Sequence, residues 1–326
     1  VQDLIEQRLD DVESRASDFE AWLSGNPLLH PRTPLSTKCF KCEYDVQVPS
    51  DHNGFQECWQ DLGSPDRHIK TLYRVGSLGG WKNPTANRWI EEGRVHHDDV
   101  EADELTGAYG ERMLIQIEHT RNGTEWLDRN AIADELSQWQ YPLHFVDFET
   151  SSSPLPHHSG MRPYEVIPFQ WSCHTIAEPG AEPTHCDYLN TVAQHPGVEF
   201  LERLCYAVGT SGTMLIWSRY ELTQLKSLLD RVQREAASAQ SDLIDWLSRL
   251  ISSFNDANAS DTARIVDQHD LVVKHWFPPR MQNRTSLKVS LPSALDAAAP
   301  GRIDQWLAEL GYAVPETGAR PDNPYK

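Results

Sequence analysis

The chain has 326 residues, 39% of them hydrophobic, with 48 acidic against 29 basic residues and a net charge of −19. That length fits two domains, or one large domain with an appendage, and the apolar content supports a real core. The charge excludes broad, unspecific clinging to nucleic acid, which rests on many Lys and Arg contacts to phosphate. It leaves room for a nuclease, whose ions supply local positive charge.

Residues 1–24 carry a helical pattern, with Val1, Leu4, Ile5, Leu9, Val12, Phe19, Trp22 and Leu23 on one stripe among acids. Gly25-Asn26-Pro27 ends it. Cys39 and Cys42 follow as a Cys-x-x-Cys pair, and Cys58 comes sixteen residues later. In a reduced compartment that pattern reads as a metal or cluster site. Gly54 permits the turn that folds the third thiol back. A tetrahedral zinc site or a four-iron cluster takes four ligands, so His52 serves as the fourth for zinc, or a further Cys precedes the chain. Spacing leaves zinc and iron–sulfur both open. Cys173, Cys186 and Cys205 are scattered and read as small core residues.

Residues 62–140 read as a helical connector, with helices expected at 104–118 and 130–140. The acids of 98–104 read as a solvated face. From residue 141 the pattern changes. Pro142 stops what precedes it. Leu143–Phe148 is a short buried strand that ends in Asp147 and Glu149. Further strands are expected at 166–176, at 213–217 and leading into Asp267. Helices are expected at 198–208, 220–232, 241–254, 287–295 and 304–310, with the apolar piece 271–277 between. Strands alternating with helices give an α/β layer fold. No apolar run is long enough to cross a bilayer and no signal peptide is evident, so the chain is expected in the cytoplasm.

Side chains alternate along a strand, so Asp147 and Glu149 share a face, about 6.5–7 Å apart along the backbone. Two such acids are either solvated or neutralised by a cation. Glu221 and Asp267 also follow apolar runs. Acids drawn from separate strand ends suit a two-metal site, and hard oxygen ligands suit Mg²⁺ or Mn²⁺. The rival roles are a helix-dipole acid at Glu221 and a turn or cap residue at Asp267. Arg162 is a candidate clamp for phosphate or carboxylate, or else one half of a structural ion pair. Arg264, Lys274, Arg280, Arg284 and Lys288 with Trp276 and Phe277 suggest a track for a single strand, against an ordinary exposed loop.

Phe145-Val-Asp-Phe-Glu-Thr150 resembles the first motif of the DnaQ-like exonucleases with a ribonuclease H-like fold. Ile216-Trp-Ser-Arg-Tyr-Glu221 is similar to their second motif, with Glu where Asp is usual. A closer likeness is to the domain of unknown function DUF2779. It is carried by Pro142–Thr150, Gly160-Met-Arg-Pro-Tyr-Glu165, Pro168-Phe-Gln-Trp-Ser172 and Ser286-Leu-Lys-Val-Ser-Leu-Pro292. The Cys39, Cys42 and Cys58 block resembles the tail of a RecB-like, CRISPR-associated type of nuclease carrying an iron–sulfur cluster.

These resemblances imply a small Cys-rich module over 1–60, a connector over 61–140, and a ribonuclease H-like mixed sheet flanked by helices over 141–326. They imply a metal-dependent 3′–5′ exonuclease on single-stranded DNA or RNA. Its ligands would be Asp147, Glu149 and Glu221, with Asp267 matching an aspartate of the family; the chemical reading above adds Arg162 and Lys288 as candidate substrate contacts. The fourth acid, and the His or Tyr that activates water, are expected beyond Lys326, so the chain reads as a fragment at both ends. The alternatives are a non-catalytic nucleic-acid-binding scaffold with a decayed nuclease fold, or another enzyme using the same carboxylates on a phosphate substrate.

Overall fold

A computed structural model describes residues 2–24, 34–46, 53–63, 66–80, 82, 84–235, 240–256, 264–298, 305 and 308. The chain divides into two compact units: Val1–Lys70 with Val75–Glu104, and Thr71–Arg74 with Leu105–Lys326. The division falls inside the stretch 61–140 that was expected as one connector.

The first unit holds α1 (Gln2–Leu23), α2 (Gly54–Trp59) and α3 (Thr85–Glu91). Leu9, Val12 and Phe19 on α1 are exposed. Asn53 caps α2, its side chain accepting the Gln56 N–H. The core is aromatic: Phe55 and Trp59 stack at 4.9 Å, and the buried His68 ring meets Trp59 edge-on at 5.1 Å. Ile69, Val75, Trp89 and Ile90 complete it. Gly54 is required by proximity, since a Cβ there would lie 2.7 Å from the Tyr44 Cβ. The acids of 98–104 are not a solvated face throughout. Glu104 takes hydrogen bonds from Arg88, Arg94 and the Trp89 indole, and the Arg94 contact holds its carboxyl down at about 2. That engagement ties residue 104 to the first unit, and the next helix starts later than residue 104.

The second unit runs α4 (Gly110–Asn122), β1 (Trp126–Leu127), α5 (Arg129–Ser137), β2 (Leu143–Ser152), β3 (Val166–Ile176), β4 (Thr184–Leu189) and α6 (Gly197–Val208). It continues through β5 (Thr213–Ile216), α7 (Tyr220–Glu235), α8 (Ser241–Ser252), β6 (Arg264–Asp267), α9 (Gln268–His275), β7 (Trp276–Phe277) and α10 (Leu287–Ala297). Five strands form one mixed sheet in the order β4-β3-β2-β5-β6, flanked by helices. β3 is antiparallel to both neighbours, whereas β2, β5 and β6 are mutually parallel. β1 and β7 form a separate two-stranded ribbon.

One face of the sheet is the main core. Val146, Phe148, Trp171, Met214, Ile216 and Ile265 pack there with residues of α6, α7 and α8. Leu143, Leu215 and Val266 form a smaller cluster with Trp139, Phe145 and Ile176. A fully buried side chain such as Phe200 contributes about 1.5–3 kcal/mol by leaving water. The starts of three parallel strands are laced together: Thr213 N–H donates to the Pro142 carbonyl and Arg264 N–H to that of Gly212. Gly212 has φ +92°, and a Cβ there would sit 2.2 Å from the Pro142 oxygen, so no other residue fits unmoved.

Two expectations change, and a third falls largely on residues not described. β2 runs on to Ser152, so Asp147 and Glu149 lie within the strand and not at its end. β4 was not expected: of its six residues only Tyr188 is buried, which leaves no alternation to read. The helix expected over 304–310 lies outside the described residues except at 305 and 308.

Candidate metal centre

Alternation on β2 sends Val146 and Phe148 into the core and turns Asp147 and Glu149 to the opposite face, where both are exposed. Across the pleat, Asp147 stands opposite Ser172 and Glu149 opposite Gln170. The register shifts just after Glu149, leaving Phe169 as the extra residue on β3. Although Asp147 is exposed, protein crowding around it, and then the Glu149 charge, raise its carboxyl above the ordinary value.

The second contributor follows β5. Ser218 holds a left-handed backbone, φ 79°, which turns the chain sharply before α7. Glu221 therefore falls in the first turn of α7, while Leu222 and Leu225 lock that helix onto the core. A first-turn acid benefits from the helix dipole. Yet Glu221 is only 4% exposed, and its Oε2 has no hydrogen-bond partner among the described residues. Burial pushes its carboxyl up to about 8, and the charges of Asp147 and Asp267 push the same way.

The third acid ends β6. Asp267 pairs in register with Ile216 and is 2% exposed. Its Oδ1 accepts the Ser218 N–H at 2.8 Å and the His269 N–H at 2.9 Å, so it caps α9. Burial raises its carboxyl too, chiefly by desolvation. Asp147 thus lies just beyond the stretch of β2 that pairs in parallel with β5, Asp267 ends β6, and Glu221 opens the helix that follows β5. The chain leaves β2 toward β3 on one side, while β5 and β6 lie on the other. Open α/β sheets bind ligands at such a switch point.

Sequence reasoning passed over four residues here. The Thr150 Oγ1 and Tyr220 Oη hydroxyls meet at 2.6 Å, each one residue from an acid of the cluster. His269 and Asp270 join Asp267, with ligand atoms of all three within 4.8 Å of one another. The spacing Asp-x-His-Asp at the start of a helix was the available signal.

Other candidates stand apart from the acids. Arg162 is exposed, and its backbone is engaged by Glu165: its N–H donates to Oε2 and its carbonyl accepts the Glu165 N–H. The ion pair of that turn is Glu165 with the buried Arg231, at 3.2 Å. The basic track expected over 264–288 is broken. Arg264 is buried and paired with Glu135 at 3.0 Å, Arg280 pairs with Asp296, and Phe277 is wholly buried. Lys288 is exposed on α10. In the first unit, Cys39 and Cys42 are half-buried and Cys58 is exposed, all as free thiols. Among the described residues these three do not gather as 267, 269 and 270 do, and His52 lies outside the described residues. Cys173 is buried as expected, but exposed Cys186 stands directly opposite it on β4.

Residues 144–286 match the family model described as Domain of unknown function (DUF2779). The match begins on β2 and ends beyond α9, so it contains Asp147, Glu149, Glu221, Asp267 and Asp270. No curated protein and no solved structure matches the chain. No helix among the described residues is long and apolar enough to cross a membrane.

Proposed function

We propose that the DUF2779 domain of this chain is a metal-dependent nuclease with a ribonuclease H-like core, acting as a 3′–5′ exonuclease on single-stranded DNA or RNA. The observation that carries this reading is the buried Oε2 of Glu221, unpartnered among the described residues and within reach of the charges of Asp147 and Asp267. Buried carboxylates without a cationic partner are strongly unfavourable, and divalent ions are the simplest groups that relieve Glu221 and Asp267 beside Asp147. The donors are hard oxygens, which fits Mg²⁺ or Mn²⁺. The sheet supports the fold part of the reading: a ribonuclease H-like core has a central strand flanked by an antiparallel hairpin on one side and parallel strands on the other, as β2 is here. Exonuclease polarity comes from the motif likeness at 145–150 and 216–221.

Asp147 and Glu149 present their oxygens on the open face of β2, where a phosphodiester can approach. Glu221 and Asp267 close the site from α7 and β6, and backbone N–H groups hold the Asp267 carboxylate in place. Ser172 and Gln170 flank the acids as neutral hydrogen-bonding groups, so the next strand adds no further repulsion toward an anionic strand. When bound, divalent ions supply an activated water and stabilisation of the leaving oxygen.

The test is Mn²⁺-dependent degradation of end-labelled single-stranded DNA and RNA by the full chain, alongside Mn²⁺-induced thermal stabilisation. Asp147→Ala is expected to lose degradation and part of the Mn²⁺-induced stabilisation. Degradation that survives in Asp147→Ala sinks the assignment.

A further inference from the structure

Next to these acids, one short segment joins an imidazole to two carboxylates. Because Asp267 caps α9, residues 267, 269 and 270 fan around its first turn and bring their ligand atoms within 4.8 Å of one another. Three observations make this more than acids at a helix start. The His269 Nε2 lies 2.6 Å from the hydroxyl of Thr285, which is buried. With Nε2–H given to Thr285, the Nδ1 lone pair is left for a ligand, and metal-binding histidines are held by an outer acceptor in this way. Glu221, nine-tenths buried and with Oε2 unpartnered among the described residues, lies close enough to feel the Asp267 charge. The basic neighbours of Asp270 hold it loosely: Arg219 at 3.5 Å and Lys274 at 3.7 Å, with side chains 66% and 62% exposed. Such exposed pairs contribute little, so an ion displaces them at small cost.

We propose that Asp267, His269 and Asp270 form a cation site of mixed carboxylate–imidazole character, separate from the β2 pair Asp147 and Glu149. The imidazole shifts its preference from Mg²⁺ toward Mn²⁺, which accepts nitrogen ligands more readily. Any role of this ion in hydrolysis rests on the nuclease reading, whereas its binding does not.

Calorimetric titration of the full chain with Mn²⁺ tests it, with far-UV circular dichroism confirming that each variant is folded. The unsubstituted chain is expected to bind two ions. Asp147→Asn combined with Glu149→Gln should bind one. Adding His269→Gln to that pair should weaken the remaining ion at least tenfold. Adding Thr285→Val instead should weaken it roughly tenfold, the effect of removing an outer acceptor, and this variant carries the test if His269→Gln does not fold. The proposal is overturned if the β2 double variant binds no Mn²⁺, or if neither added substitution changes the affinity. Loss of nuclease activity with this binding pattern intact would count against the nuclease reading alone.

Discussion

The two units treat buried titratable groups in opposite ways. In the first, His68 and His97 are buried, and desolvation keeps both neutral, with pKa values lowered to about 4. His68 packs among Phe40, Phe55 and Trp59, and its Nδ1 accepts the Lys70 N–H. Held neutral by burial, these two rings add no charge to the interior of their unit. In the second unit, Glu221 and Asp267 are as deeply buried but stand against like charge, with one carboxylate oxygen unpartnered among the described residues. A buried group that is satisfied tells of stability. A buried group left in conflict tells of a ligand.

Opposite slopes of stability against pH follow, and they are the sharpest way to break this contrast. A histidine whose folded pKa lies below its unfolded value lends stability that is present above about 6.5 and lost as pH falls toward 4. Each of the two represents up to about 3 kcal/mol. His68→Asn keeps an acceptor for Lys70 and removes one titration. Chemical unfolding of the full chain should then show roughly half the difference in stability between pH 6.5 and 4 that these two histidines produce. An unchanged slope would mean that His68 is not neutral by burial.

Glu221 has the opposite sign. Its folded pKa of about 8 lies above the ordinary 4.5, so its contribution is fully present below about 4.5 and is lost as pH rises to about 8. Glu221→Gln should therefore stabilise the metal-free chain at pH 8 by up to about 4 kcal/mol, and change little at pH 4.5. Unfolding in chelator at the two pH values measures this. A variant less stable than the parent at pH 8 would place Glu221 among the satisfied groups and erase the contrast.

The smallest expected effect is at the hydroxyl bridge. Tyr220→Phe removes the bond to Thr150 at a half-exposed position, a cost of about 0.5–1.5 kcal/mol. Its signature lies elsewhere: the Mn²⁺-induced thermal shift should shrink by more than the loss in stability explains, because the bridge spans the elements that carry Glu149 and Glu221.

Much of the sheet was legible in the sequence because four of its five strands contain apolar runs: 143–148, 166–176, 213–216 and 264–267. β4 was not, since an edge strand with one buried residue carries no periodic signal. Asp147, Glu149, Glu221 and Asp267 were legible as acids after apolar runs, but the burial of Glu221 was not, because a first-turn helix acid is ordinarily solvated. Arg264 was misread as part of a binding track. Its partner, Glu135, lies 129 residues earlier, and no local pattern reveals such a pairing. Glu104 was misread for a related reason: an acidic run suggests solvent, whereas three donors from 88–94 converge on its last member.

The anchoring of Asp267 has a consequence for how this site can change over time. Both groups that grip its Oδ1 are main-chain amides, from residues 218 and 269. A grip made by backbone does not depend on which side chains those residues carry. Position 218 needs only a residue that tolerates positive φ, such as Gly, Asn or Asp. Sequence can drift there while the carboxylate stays put, so the identity of residue 218 is a poor guide to whether a related chain keeps this centre.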